Sequence, residues 1–168
     1  MDILVGNVIA FVASLMMVIA SYIKDKKKSL LVNAAQLVVA ATAGVVLGAY
    51  SAVIVNILGI PRNLLVAYNK MTPFSKAVLI WCSLVLYILF GTSGVFGLFP
   101  FIVLLAHILL LDIVNPIQYK YLTIVSAILW ATYDFITHNY VASAFDVATL
   151  VAAVIAVIRL RKNNTNGG

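Results

Sequence analysis

Arg62 lies in the middle of an apolar stretch, Ser51–Asn69, that is long enough to cross a lipid bilayer. At about 1.5 Å per residue, Arg62 is roughly 16 Å in from Ser51, close to the centre of a ~30 Å hydrocarbon core. An arginine at that depth costs roughly 2.5–3.5 kcal/mol on insertion scales. We therefore expect another helix to supply a polar partner.

Asp146 is the predicted partner of Arg62. On the expected helix directions its level differs from that of Arg62 by roughly 7–9 Å, within reach of an extended arginine side chain. Two interpretations stay open. Either the two residues flank a solvent-filled cavity and contact a solute, or they form a buried ion pair that holds two parts of the chain together.

Four more polar or aromatic residues in apolar stretches are candidates for the same site. Asn56 is either a hydrogen-bonding group of the pocket or part of an interhelical bond. Asp134 either gates the outer mouth or takes up a proton, or it is simply solvated at a helix end. Trp130, with Tyr133 as its neighbour, either stacks on a planar or sugar-like solute or serves packing. The candidate substrate-binding residues are therefore Asn56, Arg62, Trp130, Tyr133, Asp134 and Asp146.

Catalytic and metal chemistry is not indicated by the sequence. It contains one Cys, two His at distant depths, no Gly-rich phosphate loop and no readable Ser–His–Asp spacing. We expect His107 to be a hydrogen-bonded structural residue and Asp112 to pair with Lys120 or other cations. The expectation is a protein that is not an enzyme and has no metal or cofactor.

The composition predicts an integral membrane protein. Of its 168 residues, 64% are hydrophobic and only 10% are charged, which is too few for the surface of a soluble domain. The net charge of +6 does not indicate nucleic acid, because nearly all Lys and Arg lie at the ends of apolar segments. The expected surroundings are the lipid bilayer and a small polar solute, and a homo-oligomer stays open.

Seven apolar segments of about spanning length are visible, and they predict seven transmembrane helices. They are Ile3–Ile23, Ser29–Ala49, Ser51–Asn69, Ser75–Thr92, Phe96–Val114, Ile117–Thr137 and Tyr140–Leu160.

The positive charges alternate between the connections. The basic connections carry Lys24 to Lys28, Lys70 and Lys76, Lys120, and finally Arg159, Arg161 and Lys162. The connections near residues 48–51, 92–97 and 137–140 contain no Lys or Arg. By the positive-inside rule, the N-terminus is outside and the C-terminus is cytoplasmic.

An internal repeat appears when the chain is shifted by ninety residues. Ala41-Thr42 then aligns with Ala131-Thr132, Tyr50 with Tyr140, and Asn56 with Asp146. This predicts a three-plus-one-plus-three plan of two parallel triple-helix bundles joined by a linker helix. The expected units are residues 1–70, the linker helix 71–94, residues 95–162, and a disordered tail 163–168.

The three-one-three plan resembles the superfamily of SWEET sugar facilitators and PnuC-type vitamin transporters. A closer resemblance is to the YgjV family of small bacterial inner-membrane proteins, carried by Leu47-Gly48, Tyr50, Ala52 and Arg62 in the first half, and by Trp130, Asp134-Phe135, Asp146 and Arg159 in the second. The chain departs from the sugar facilitators because it lacks their Pro-Gln pair in the first helix, with only Pro100 at the corresponding place in the second half.

The resemblance implies a multi-pass protein of the bacterial inner membrane and a transporter-like function, without naming a ligand. We expect a facilitator-like transporter with alternating access for a small polar solute such as a vitamin, nucleoside, sugar or amino acid. The alternative is a non-transporting membrane partner or signalling subunit with the same fold.

Overall fold

The computed structural model describes residues 2–23, 25–92, 94–110 and 116–166, without the side chains of residues 21, 22, 26, 116, 117, 119 and 159–166. Within these ranges the predicted all-helical class is confirmed: there are seven α-helices, one short 3-10 helix at Gly94–Gly97 and no strand. The α-helices are α1 (Ile3–Tyr22), α2 (Lys26–Leu47), α3 (Tyr50–Ala67), α4 (Pro73–Phe90), α5 (Leu98–Leu110), α6 (Pro116–Ile136) and α7 (Tyr140–Asn166).

Five of the described helices are long and apolar enough to cross a membrane. The qualifying stretches are Ile3–Ala20, Lys27–Leu47, Tyr50–Ala67, Pro73–Phe90 and Tyr140–Ile158. The apolar stretch Gly94–Leu110 is shorter. Large hydrophobic side chains are exposed along most of these helices, as lipid contact requires. The structure thus has the character of a membrane-embedded protein.

Helix α3 is the most buried of the candidate spans. It packs against α2, which also contacts α1, and it contacts α4 and α5 as well. Helices α6 and α7 form a second close pair, linked to the rest through α5 and α1. One core cluster surrounds α3 and includes Ile54, Leu58, Leu104 and Ile108. This central position explains why the polar residues of α3 are enclosed by other helices.

The bundle has two chemically different ends. At one end, which we call the basic end, Lys27 lies over the ring of Tyr68 at 4.4 Å from its centroid. At the same end the Lys76 ammonium donates to the carbonyl of Leu109 at 3.2 Å. The opposite end holds the short α2–α3 and α6–α7 turns, and we call it the turn end.

The α2–α3 and α6–α7 hairpins repeat each other at a ninety-residue shift. Helices α2 and α6 begin ninety residues apart, as do α3 and α7. Gly48 and His138, also ninety residues apart, both adopt the left-handed conformation, with φ of 70° and 62°. This is the conformation in which many helices end.

The hydrogen bonds of the two turns match as well. The Ala49 N–H donates to the Gly44 carbonyl at 2.8 Å, and the Asn139 N–H donates to the Asp134 carbonyl at 2.8 Å. The N–H groups of Gly48 and His138 bond the carbonyls three residues earlier at 3.2 and 3.3 Å. The two turns therefore have one backbone geometry, although their side chains differ.

Two sequence-based predictions concern residues at the limits of the described chain. Asp112 lies outside the described residues, so its pairing with Lys120 stays a prediction. Helix α7 continues to Asn166, so helical backbone covers the first four residues of the predicted tail.

Candidate functional site

Arg62 is held by a neighbour on its own helix. Asn63, which is 1% exposed, accepts two hydrogen bonds through its Oδ1, from Arg62 Nε at 3.1 Å and from Nη2 at 2.9 Å. The Asn63 Nδ2 in turn donates to Asn33 Oδ1 on α2 at 2.7 Å. A neutral amide chain thus fixes the guanidinium and ties α3 to α2 inside the bundle.

Gly59 provides the space into which the guanidinium folds. Helical side chains lean toward the start of their helix, so Arg62 reaches back over the preceding turn of α3. A Cβ added at Gly59 would lie 3.7 Å from Arg62 Nη2 and 2.8 Å from Leu37 Cδ1. Glycine at this position therefore lets α2, α3 and the guanidinium come together.

Two buried amides near Arg62 make no hydrogen bond to the described part of the chain. Asn56 is 7% exposed and Gln36 is 9% exposed, and neither has a partner among the described residues. Asn56 lies one turn before Gly59 on α3, and Gln36 lies one turn after Asn33 on α2. Neither amide is among the fully buried unpaired atoms of the described chain, so both keep some accessible surface and each can form hydrogen bonds with a bound solute.

His107 on α5 borders this region. Its Nδ1 is in hydrogen-bonding contact with the Val103 carbonyl at 2.8 Å, within α5 itself. It also lies within electrostatic range of Arg62. We call the group formed by Asn33, Gln36, Arg62, Asn63 and His107 the polar layer.

Asp146 does not pair with Arg62, and that part of the sequence-based prediction is wrong. Within the described residues, the carboxyl group of Asp146 is hydrogen-bonded to that of Asp134 on α6. Asp134 is buried and also accepts from Asn139 Nδ2 at 3.1 Å. The chain thus has a second polar site, an acid pair, which is separate from the polar layer.

The α6–α7 hairpin explains why the two acids meet. Asp134 precedes the turn and Asp146 follows it, so both lie in the parts of α6 and α7 closest to the turn end. In each helix the side chain leans toward the helix start, which tilts Asp134 away from the turn and Asp146 back toward it. The two tilts bring the carboxyl groups of Asp134 and Asp146 closer together in depth. Depths that are estimated from Cα positions do not include these tilts.

Trp130 and Tyr133 are in contact and pack near the turn end. Their rings meet edge to face with centroids 6.1 Å apart. Tyr133 is fully buried, and its Oη accepts a hydrogen bond from the Ala52 N–H on α3 at 3.3 Å. Trp130 is half-buried and packs against both core clusters. Of the pair, only Trp130 retains a partly accessible face.

The sequence analysis did not select Asn63, Asn33, Gln36 or Gly59 as candidate site residues. A usable signal was present: Asn33 and Gln36 are three residues apart, and Asn56 and Asn63 are seven apart, so each pair shares one helix face. The side chain of Arg159, which carries part of the family resemblance, lies outside the described residues.

An apolar groove lies beside these sites and is distinct from them. It has a volume of about 340 Å³ and runs between α3 and α4. Its lining residues are Tyr50, Val53, Ile54, Ile57, Leu86 and Phe90. It contains none of the polar residues discussed above, so it is not their opening.

The comparisons with known proteins agree with a membrane protein. Neither the curated proteins nor the solved structures give a match to this chain. The family model Imp-YgjV, described as bacterial inner membrane protein, matches residues 4–164. With nearly the whole chain covered, the protein belongs to the YgjV family of bacterial inner membrane proteins.

Proposed function

We propose that the chain is a transporter for a small polar solute such as a vitamin, nucleoside, sugar or amino acid. It works as a facilitator-like, non-enzymatic membrane protein with alternating access. In this proposal α1–α3 and α5–α7 are two parallel bundles joined by the linker helix α4. The N-terminus is outside and the C-terminus is cytoplasmic, which places the turn end outside and the basic end inside.

The repeated hairpin supports the two-bundle part of the proposal. Gly48 and His138 end α2 and α6 with the same backbone geometry, ninety residues apart. Parallel repeats of this kind are one known way to build a transporter, with the solute site near the midplane between the halves. An odd linker helix gives both halves the same orientation across the membrane.

The observation that carries the proposal is the unsatisfied amide of Asn56. It is buried in α3, it has no partner in the described chain, and it lies one turn from Gly59, where the Arg62 guanidinium is held. Polar groups inside a membrane bundle are expensive and mark solute pathways by default. Asn56, Gln36 and Arg62 together offer amide and guanidinium groups to a hydrogen-bonding solute.

A second candidate is a non-transporting membrane partner with the same fold. The observation in its favour is that the groove of about 340 Å³ is apolar, while Arg62 and Asp146 are held by neighbouring side chains. Under this alternative the polar layer and the acid pair only hold helices together. The unpartnered amides of Asn56 and Gln36 argue against it, because a purely structural interior gains nothing from them.

Uptake by proteoliposomes distinguishes the two candidates. The purified protein is reconstituted and screened with labelled amino acids, sugars, nucleosides and vitamins, beside Arg62→Gln and Asp146→Asn. Thr132→Ala is the matched control, because its exposed hydroxyl bonds only within α6, to the Ile128 carbonyl. Transport predicts uptake of at least one solute class that Arg62→Gln reduces and Thr132→Ala preserves. If the uptake of every solute class is no higher than that of empty liposomes, the result favours the non-transporting membrane partner.

A further inference from the structure

Ser51 joins α3 to the segment that connects α4 and α5. It is 1% exposed, its Oγ–H donates to the Thr92 carbonyl at 2.8 Å, and the same Oγ accepts from the Thr92 N–H at 2.9 Å. A Cβ at Gly97 would collide with the Thr92 carbonyl oxygen and lie 2.8 Å from Ser51 Oγ. Glycine at position 97 is thus what allows this close approach. We call this contact the Ser51 latch.

Asn7 makes a comparable contact from α1 to the α6–α7 turn. Its Nδ2 donates to the His138 carbonyl at 2.9 Å and to the Ile3 carbonyl at 2.8 Å. Its Oδ1 accepts from the Val141 N–H at 3.0 Å. The Asn7 side chain therefore bonds the backbone on both sides of the turn between α6 and α7. We call this contact the Asn7 latch.

The two latches occupy corresponding places under the ninety-residue shift, although their hydrogen bonds join different positions. Position 7 corresponds to position 97 and position 51 to position 141, and Asn7 bonds Val141 where Gly97 closely approaches Ser51. Each latch therefore joins the region in which one half begins to the region around the hairpin turn of the other half. Both latches lie at the turn end.

Between the latches the turn end is packed shut. The Tyr133 ring is fully buried against Leu47, Ala49 and Ala52, and its Oη holds the Ala52 N–H at 3.3 Å. This contact joins α6 directly to α3.

We infer that the turn end is a gate, closed in this structure, and that the Asn7 and Ser51 latches hold it closed over Tyr133. Opening separates the two halves here, which requires both latches to break while the hairpins keep their internal bonds. The inference rests on the proposed alternating-access function, but its test needs no solute.

Thiol labelling in lipid nanodiscs tests the gate, because a water-soluble maleimide then reaches both ends of the protein. The reporter is Ala52→Cys in a Cys82→Ser background, since Ala52 is buried under the gate and Cys82 is exposed. With both latches intact we expect slow labelling. Asn7→Ala and Ser51→Ala should each accelerate labelling about fivefold, roughly what one net hydrogen bond is worth, and more in combination.

Two controls separate gate opening from loss of the fold. Thr42→Ala removes an exposed hydroxyl bond within α2, to the Val38 carbonyl, and should leave the labelling rate unchanged. Ala34→Cys reports on a buried position of α2 far from the turn end. The gate is overturned if the latch variants leave Ala52→Cys labelling unchanged, or if they accelerate labelling of Ala34→Cys to the same degree.

Discussion

The carboxyl groups of Asp134 and Asp146 are hydrogen-bonded to each other across the α6–α7 hairpin. Such a bond requires a proton on one of the two groups, because an ionised carboxylate only accepts. The pair therefore joins α6 to α7 as a hydrogen bond between two acids and not as an ion pair.

This pairing predicts that Asp146→Leu destabilises the protein more than Asp146→Asn. An amide can still donate to Asp134, whereas a leucine removes one partner of the buried Asp134 carboxyl group. We expect an additional loss of roughly 1–3 kcal/mol of unfolding free energy in Asp146→Leu, measured by denaturation in detergent. Asp25→Asn, at an exposed helix N-cap, should change stability little. Equal stability of Asp146→Asn and Asp146→Leu contradicts the pair.

The amide chain of Asn63 predicts a structural role that differs from that of Asn56. Asn63→Leu removes an acceptor of Arg62 and the donor to Asn33, so two half-buried polar groups each lose one hydrogen-bonding partner. We expect a loss of roughly 1–3 kcal/mol in unfolding free energy. Thr149→Ala, which loses only a bond to the Phe145 carbonyl within α7, is the control and should lose less than half of that amount. Equal stability of Asn63→Leu and the parent would show that the chain is not holding Arg62.

We expect substitutions at the equivalent turn residues Gly48 and His138 to change stability by different amounts. Gly48→Ala places an L-residue in the left-handed region and should cost about 1–2 kcal/mol of unfolding free energy. His138 already carries this cost, offset by contact of its Nδ1 with Tyr140 Oη at 2.7 Å. We therefore expect His138→Gly to change stability much less than Gly48→Ala. Thermal unfolding of both variants decides, and the reverse ranking would contradict the shared turn geometry.

The helices could be predicted from the sequence because they depend on the order of apolar and charged residues along the chain. Long apolar segments bounded by Lys clusters and turns place the start of α7 at Tyr140 as observed, and that of α3 within one residue. The ninety-residue repeat was also visible from Tyr50 and Tyr140. These features depend on local hydrophobicity and spacing alone.

The pairing of polar residues could not be predicted in the same way. It depends on helix rotation and on the direction in which each side chain leaves its helix, which Cα depth does not contain. Arg62 therefore bonds Asn63, which in turn bonds Asn33, and Asp146 meets Asp134. Opposite charge alone did not identify the partner of Asp146.

Asn56→Leu separates a role of the Asn56 amide in solute binding from a role in packing. An amide without a partner in the described chain contributes no stability, so a leucine of similar size should leave the melting temperature equal or higher. If Asn56 contacts the solute, the same variant loses at least about tenfold in the initial rate of uptake of the solute found in the screen, the value of one good hydrogen bond. A stable Asn56→Leu protein that transports at the parent rate contradicts a contact between Asn56 and the solute.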